Sequence, residues 1–253
     1  MAWAIGGRVA AGAAAAGRMV LDALLPPRCL ACGAVVGEVG ALCPECWARI
    51  GFIAAPCCAR CGLPFSFDPG AAAECGDCTR RPPAFDRARA VFRYDDASRP
   101  LILGFKHGDR THAAPAYAAW LARAAAPLLP GTDVVVPVPM HWLRLVRRRY
   151  NQAALLANAL GRRAGIPVAP DALARRRATP SQGGLRRLAR FRNVAGAFVV
   201  PPGRRARVDG KRVLLVDDVL TTGATVEACA RALRAAGAVR VDVATLARVV
   251  RTD

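Results

Sequence analysis

Residues 213 to 225 read VLLVDDVLTTGAT. Four apolar residues end in two adjacent aspartates, and the chain then turns through small hydroxylated residues around a glycine. A short, unbroken apolar run bounded by turn residues predicts a strand buried on both faces, the kind that fills parallel sheets. With residues 213–216 as that strand, Asp217 and Asp218 emerge at its carboxyl end, where open α/β sheets bind ligands. Thr221, Thr222, Gly223, Ala224 and Thr225 then form a turn into a helix. Its first N–H groups and its dipole favour an anion, so the turn reads as a phosphate cradle with hydroxyls to assist. Paired carboxylates just ahead of such a cradle suit a ligand with vicinal hydroxyls near a phosphate, as in a ribose 5-phosphate. Two other readings compete. The strand of a P-loop NTPase that holds magnesium would need G-x-x-x-x-G-K-[ST], which is absent from the chain. A receiver-like or phosphatase-like acidic pocket would want a nucleophilic Asp without a phosphate loop directly behind it.

Outward from this stretch, strands alternate with helices. RARAVFRY (87–94) reads as an edge strand, and PLILGFKHG (100–108) as a short helix with Ser98 as N-cap and Gly108 as its end. APAYAAWLARAAAPLL (114–129) is an amphipathic helix, and DVVVPVP (133–139) a buried strand closed by prolines. YNQAALLANALGRRAG (150–165) is a helix with Leu155, Leu156 and Leu160 on one face, and GAFVV (196–200) a strand. KRVLLVDDV (211–219) is the central strand, ATVEACARALRAAG (224–237) its following helix, and AVRVDVATLAR (238–248) the last strand. The pattern predicts an α/β fold with a parallel sheet covered by helices on both faces.

The cysteines define a different module. Nine of the ten lie between Cys29 and Cys78, and Cys229 alone lies beyond them. Cys29-x2-Cys32 and Cys43-x2-Cys46 form one set of paired knuckles; Cys58-x2-Cys61 and Cys75-x2-Cys78 form a second. A two-residue spacer lets both sulfurs of a knuckle face one ion, so each set predicts a closed, structural Zn²⁺ site with four thiolates. A disulfide framework and a redox C-x-x-C pair are the alternatives. Cys57 competes with Cys58 for the ligand position, though Cys58 keeps the spacing. So short a segment depends on its metal for much of its stability.

Charge divides at the same place. Residues 1–84 carry a net +1, so the remainder carries +18 of the chain's +19, and residues 141–212 hold eighteen Lys or Arg against Asp171 and Asp209. Such density predicts a phosphate-rich partner, either nucleic acid or a polyphosphorylated small molecule. A GC-rich coding bias that inflates arginine is the bland alternative. The first residues read as a short Ala-rich helix ending in Val20, Leu21, Leu24 and Leu25, with no stretch near the roughly 20 apolar residues of a membrane span. The expected domains are an N-terminal helix over 1–28, a double zinc ribbon over 29–84 and an α/β domain over 85–253, in a cytoplasmic protein without membrane insertion.

VLLVDDVLTTGAT resembles the phosphoribosyl-pyrophosphate (PRPP) signature of type I phosphoribosyltransferases over its whole length. With the paired zinc knuckles in front, the chain resembles the ComF/GntX family, an amidophosphoribosyltransferase-like group in which a double zinc ribbon precedes a type I phosphoribosyltransferase domain. The similarity covers nearly everything after residue 25. Further pieces occur in family order: GFKHGDR with Lys106, VVPVP at 135–139, RRYNQ at 148–152, and RATPSQGGLRRLARFRNVAGAF at 177–198. The family usually carries Gly-Phe where this chain has Arg149 and Tyr150.

The resemblance implies roles by position. Asp217 and Asp218 hold the ribose hydroxyls, directly or through Mg²⁺ bound with PRPP, and residues 221–225 the 5-phosphate. Val136, Pro137, Val138 and Pro139 stand at the pyrophosphate loop. Lys106, Arg148 and a segment containing Thr179, Gln182, Arg190 and Asn193 close over the pyrophosphate, with Lys106 and Arg190 counted as catalytic alongside the two aspartates. An Arg-dense stretch with paired glycines at 183 and 184 is suited to ordering when pyrophosphate arrives. A solvated basic face or a DNA-contacting loop is the other reading of that stretch.

Two functions of different class follow. One is transfer of phosphoribose to a nitrogen acceptor with release of pyrophosphate. The other, implied by the ComF name, is a PRPP-binding protein of DNA uptake without turnover, whose partners are single-stranded DNA and the competence machinery. Its basic belt would track phosphates in a salt-dependent way, although no interleaved aromatic platform is evident. A third reading keeps PRPP as a regulatory ligand only.

Overall fold

The elements in chain order are α1 (Pro44–Arg49), α2 (Gly76–Arg80), β1 (Ala88–Arg93), α3 (Arg99–His107), α4 (Ala114–Ala124), β2 (Val134–Pro137), α5 (Trp142–Arg148), α6 (Gln152–Ala164), β3 (Ala174–Arg175), α7 (Arg187–Val194), β4 (Phe198–Val199), β5 (Arg212–Leu220), α8 (Ala224–Ala235) and β6 (Arg240–Arg248). They belong to a computed structural model that describes residues 25–107, 110–177 and 187–250, with residues 107, 144, 147, 148, 187 and 188 described by backbone alone. The Ala-rich helix expected over 1–28 therefore lies almost wholly outside the described residues, as do Gly108, Thr179, Gln182 and the glycines at 183 and 184.

Four strands form a parallel sheet in the order β1-β6-β5-β2, with Val213 opposite both Val134 and Val241. Beyond β2, a parallel bridge from Val135 to Val168 extends the sheet. Because side chains alternate along a strand, Val213 and Leu215 face one side and Leu214 and Val216 the other, and all four are fully buried. On the first side they cluster with Val226, Cys229, Ala230 and Leu233 of α8. On the second side α4 and α6 pack, with Leu121, Leu156 and Leu160 completely inaccessible. Helices on both faces explain why the central strands are apolar throughout.

β1 is the edge strand its alternation suggests, but its outer side is not bare. Ile53 N–H donates to the Val91 carbonyl and Arg93 N–H to the Gly51 carbonyl, each at 2.8 Å. Ser98 precedes α3 as expected. Its hydroxyl, however, donates to the Arg93 carbonyl at 2.6 Å and accepts from Asp95 N–H at 3.0 Å, so it pins the strand-to-helix turn. The GAFVV strand pairs not with the main sheet but, antiparallel, with β3, where Arg175 stands opposite Phe198. Helix α5 has no counterpart in the sequence reading: it is short, and Trp142 and Val146 are 64% and 74% exposed, so no buried stripe announces it.

The chain divides into two compact units, Met1–Arg49 and Ile50–Asp253. The first contains the cysteine set of 29, 32, 43 and 46. The second contains the set of 58, 61, 75 and 78 together with the whole α/β sheet. Among the described residues no helix is long and apolar enough to cross a membrane.

Candidate functional site

β5 does not stop at Val216; it runs on to Leu220, so Asp217 and Asp218 lie within the strand and their side chains diverge. Asp218 turns to the face of α3, where its Oδ2 is 3.1 Å from Lys106 Nζ. Asp217 turns toward α8 and β3. Burial, then the charge of Asp218, pushes its carboxyl up to about 7, with Lys106 and Arg175 pulling the other way. Its Oδ1 accepts the Asp218 N–H at 2.9 Å. Beneath it, burial raises the Cys229 thiol well above its ordinary range, so this cysteine is an apolar filler.

The turn that follows has the features of an anion site. Gly223 caps α8 with a left-handed φ of 81°, and no atom stands within 4 Å of where a Cβ would be. The glycine is thus required by its dihedral, not by crowding. The Thr222 hydroxyl is buried and makes no hydrogen bond, leaving a donor for an incoming oxygen. Ala224 is buried at the helix start, and Thr221 and Thr225 flank the turn.

The other expected residues divide into those near the aspartates and those that hold them up. Lys106 is in the site through Asp218. Gln152, 2% exposed, donates from Nε2 to the Lys106 carbonyl at 3.1 Å, and Tyr150 Oη donates to the Phe105 carbonyl at 3.2 Å. Asn151 donates to the Val138 carbonyl at 3.0 Å and accepts the Ala153 N–H, capping α6. The RRYNQ segment therefore positions α3 and the 136–139 segment. Arg148 falls in α5, but its side chain is outside the described residues. Arg149 takes φ 65°, the conformation a glycine adopts freely, and is the one non-glycine with positive φ among the described residues. Val136 sits fully buried in β2; Pro137 and Pro139 have no N–H, and Val138 donates its own to Val216 at 2.9 Å. The segment 137–139 thus offers pyrophosphate no backbone N–H. Arg190 and Asn193 lie on α7, and the Asn193 carbonyl accepts from Arg177 at 3.1 Å.

Both cysteine sets converge. Within each, the four sulfurs lie within 4.8 Å of one another, and the Cys32–Cys43 and Cys61–Cys75 sulfurs are 3.6 Å apart. A tetrahedron with Zn–S near 2.3 Å has edges of about 3.8 Å, so these clusters fit zinc. Cys58, not Cys57, completes the second cluster. Hydrogen bonds from the Cys61 and Cys78 thiols, and from the N–H groups of Cys61 and Cys75, hold the Cys58 thiol well below its usual range, as a thiolate ligand requires.

Two residues escaped the sequence reading. Arg175 lies 5.3 Å over the Phe198 ring and places its charge near Asp217. Arg248 donates to the Cys61 carbonyl at 2.6 Å and to Cys61 Sγ at 3.3 Å. A lone arginine closing an apolar strand was the available signal for it. Between the second cluster and the phosphate cradle lies a cleft of about 550 Å³, lined by Cys61, Asp77, Arg80, Phe191, residues 221–223 and Arg248.

A cysteine module with two four-thiol clusters, joined to a sheet ending in paired aspartates and a turn suited to phosphate, defines a double zinc ribbon protein with a phosphoribosyltransferase-type domain. Family models agree: a double zinc ribbon domain matches residues 20–79 and a phosphoribosyl transferase domain residues 151–252. The chain is 32% identical over 227 residues to competence protein F of Haemophilus influenzae, covering 87% of this chain and 96% of that one. It is 35% identical over 200 residues to the DNA utilization protein YhgH of Escherichia coli K12 (76% and 84%), and 26% identical over 199 residues to competence protein ComFC of Bacillus subtilis (76% and 77%). The chain belongs to the ComF family. Among solved structures, glutamine PRPP amidotransferase from B. subtilis matches with a TM-score of 0.39 and 25% identity over 56% of this chain and 30% of that one. Orotate phosphoribosyltransferase from Aeropyrum pernix matches with a TM-score of 0.33 and 20% identity, covering 63% and 80%.

Proposed function

We propose that the chain binds PRPP with Mg²⁺ at the carboxyl end of β5 and transfers its phosphoribosyl group to a nitrogen acceptor. The observation that carries this is the sequence of groups along one strand end: Asp217, Asp218 with its Lys106 partner, then a left-handed glycine and a buried, unpartnered threonine hydroxyl. The 5-phosphate takes residues 221–225, and the ribose hydroxyls take the two aspartates. Mg²⁺, bound with the ligand, supplies positive charge against the pyrophosphate. Lys106, freed from Asp218 as ligand enters, adds its own charge there, joined by Arg190 of α7. In the reaction a C–N bond forms at the anomeric carbon as the C–O bond to pyrophosphate breaks, and the acceptor nitrogen loses its proton to solvent. Pyrophosphate leaves with the bonding pair. The second ribbon, which lines the cleft beside the cradle, serves as the acceptor-side wall. A reducing cytoplasm suits ten cysteines that carry no disulfide.

Calorimetric titration of Mg–PRPP into zinc-replete protein tests the reading, beside an Asp217→Ala, Asp218→Ala double variant. Binding lost by at least about 100-fold in the variant is the expected result; no binding to the folded parent would sink it. A second reading draws on the names of the relatives, a competence protein and a DNA utilization protein, and on the +18 charge outside residues 1–84. In it the chain associates with single-stranded DNA and competence proteins, and PRPP binds without turnover. Salt-sensitive single-strand binding that survives the double variant, with no pyrophosphate released, would favour it.

A further inference from the structure

The second cysteine cluster and the phosphate cradle come from distant parts of the chain, yet one residue is tied to both, by its side chain to the cluster and by its backbone to the strand that leads into the cradle. Arg248 closes β6, and its partner across the parallel register is Leu220, the residue before Thr221. The N–H of Val249 donates to the Leu220 carbonyl at 2.9 Å, extending that pairing. The guanidinium reaches the other way: Nη1 holds the Cys61 carbonyl at 2.6 Å and Nη2 holds Cys61 Sγ at 3.3 Å. A planar fork thus fixes both the backbone and the sulfur of one metal ligand, which a single point charge cannot do. Outer-shell donors of this kind orient a ligand and tune its metal.

We propose that Arg248 is a positioning residue that couples metal occupancy at Cys58, Cys61, Cys75 and Cys78 to the order of residues 220–225, making the metal-bound second ribbon a structural wall of the cradle. The coupling stands on this geometry; its effect on ligand affinity rests on the ribose-phosphate reading given above. When the metal leaves, Cys61 is no longer held and the guanidinium loses two fixed acceptors beside Leu220. Linkage makes the effect reciprocal, so a phosphate ligand that orders the cradle retards metal release from this cluster. The cluster of 29, 32, 43 and 46, in the other compact unit, is the internal control.

The test uses full-length, zinc-loaded protein in four forms besides the parent: Arg248→Ala, Arg248→Lys, Cys61→Ser and Cys46→Ser, each checked for fold by circular dichroism. Amide hydrogen exchange is followed in the peptide spanning 220–225, and zinc release to a chromophoric chelator is timed with and without Mg–PRPP. Arg248→Ala is expected to speed release from one of the two sites by about tenfold or more and to raise exchange in the peptide. Arg248→Lys falls between it and the parent. Cys61→Ser raises exchange in the same peptide, and Cys46→Ser leaves it unchanged. Unchanged exchange in both Arg248→Ala and Cys61→Ser, or unchanged release in Arg248→Ala, overturns the coupling. Should the parent fail to bind Mg–PRPP, the ribose-phosphate reading falls, while exchange and release still decide the coupling.

Discussion

The two cysteine clusters share one motif and one knuckle backbone, and differ in burial and in what packs around them. Cys29, Cys32, Cys43 and Cys46 belong to the small unit, and Cys32 is exposed and Cys46 half-buried. Cys58, Cys61, Cys75 and Cys78 are all buried, within the unit that contains the sheet. Around the second cluster, the Ala88 N–H donates to the Arg60 carbonyl at 2.6 Å, Arg89 reaches the Ala59 carbonyl, and Arg248 grips Cys61. Gly62 lets the knuckle lie against β1: its φ is 70°, and a Cβ there would stand 2.5 Å from the Ala88 carbonyl oxygen. A repeated cysteine motif therefore stands in two settings. One copy lies in the small unit, and the other belongs to the unit that contains the sheet.

Breaking one cluster at a time exposes that difference most strongly. A structural zinc supplies about 10–16 kcal/mol to a module that depends on it, and the second module is shared with the sheet. Cys78→Ser should lower the stability of the Ile50–Asp253 unit by on the order of 5 kcal/mol, whereas Cys46→Ser should leave that unit's calorimetric transition within about 0.5 kcal/mol. Equal effects from the two variants would erase the distinction.

Gly62→Ala sharpens it without touching a ligand. The left-handed φ and the backbone clash together should cost about 2 kcal/mol in thermal or urea unfolding, while both zinc ions remain bound by metal analysis. A neutral result would mean that the second ribbon is not seated on β1 through this knuckle.

A third effect is read by pH and concerns the site that the second unit alone carries. With its carboxyl raised to about 7, Asp217 is largely protonated at pH 6 and ionised at pH 8. Mg–PRPP affinity should rise severalfold across that interval and stay flat in Asp217→Asn. The stability linkage has the opposite sign: the contribution of this raised group is complete below its ordinary acid range and is lost as pH climbs through about 7. Ligand-free protein should therefore weaken from pH 6 to 8, whereas protein saturated with Mg–PRPP, its Asp217 already ionised, should hold level. The smallest effect lies at the entry to α6. Arg149→Gly, which relieves the one left-handed non-glycine among the described residues, should stabilise the large unit by about 1 kcal/mol, seen as an upward shift in the unfolding midpoint.

Much of the site was legible because its chemistry is local. The C-x2-C spacers bring sulfurs together over three residues, and VLLVDDVLTTGAT places carboxylates and a phosphate turn on consecutive positions. The main-sheet strands were readable from apolar runs, since burial on both faces leaves no polar position to confuse the pattern. Where neighbours in space decide, the reading faltered. GAFVV has the composition of a strand, but its partner, β3, is two residues long and carries no pattern. Asn151 and Gln152 were legible only as parts of a family-like segment, and their work, holding the carbonyls of Val138 and Lys106, is set by neighbours in space.

From the amino-acid order alone came the eight metal-binding thiols, the parallel α/β class and the strand end that carries the phosphate turn. Each depends on contacts within a few residues or on a periodicity that burial imposes. Only the tertiary structure decided that Asp217 and Asp218 face opposite sides of the sheet and that the second ribbon forms one unit with the sheet. These depend on how far β5 extends and on groups brought together from up to 187 residues apart, distances at which neither spacing nor hydropathy carries information.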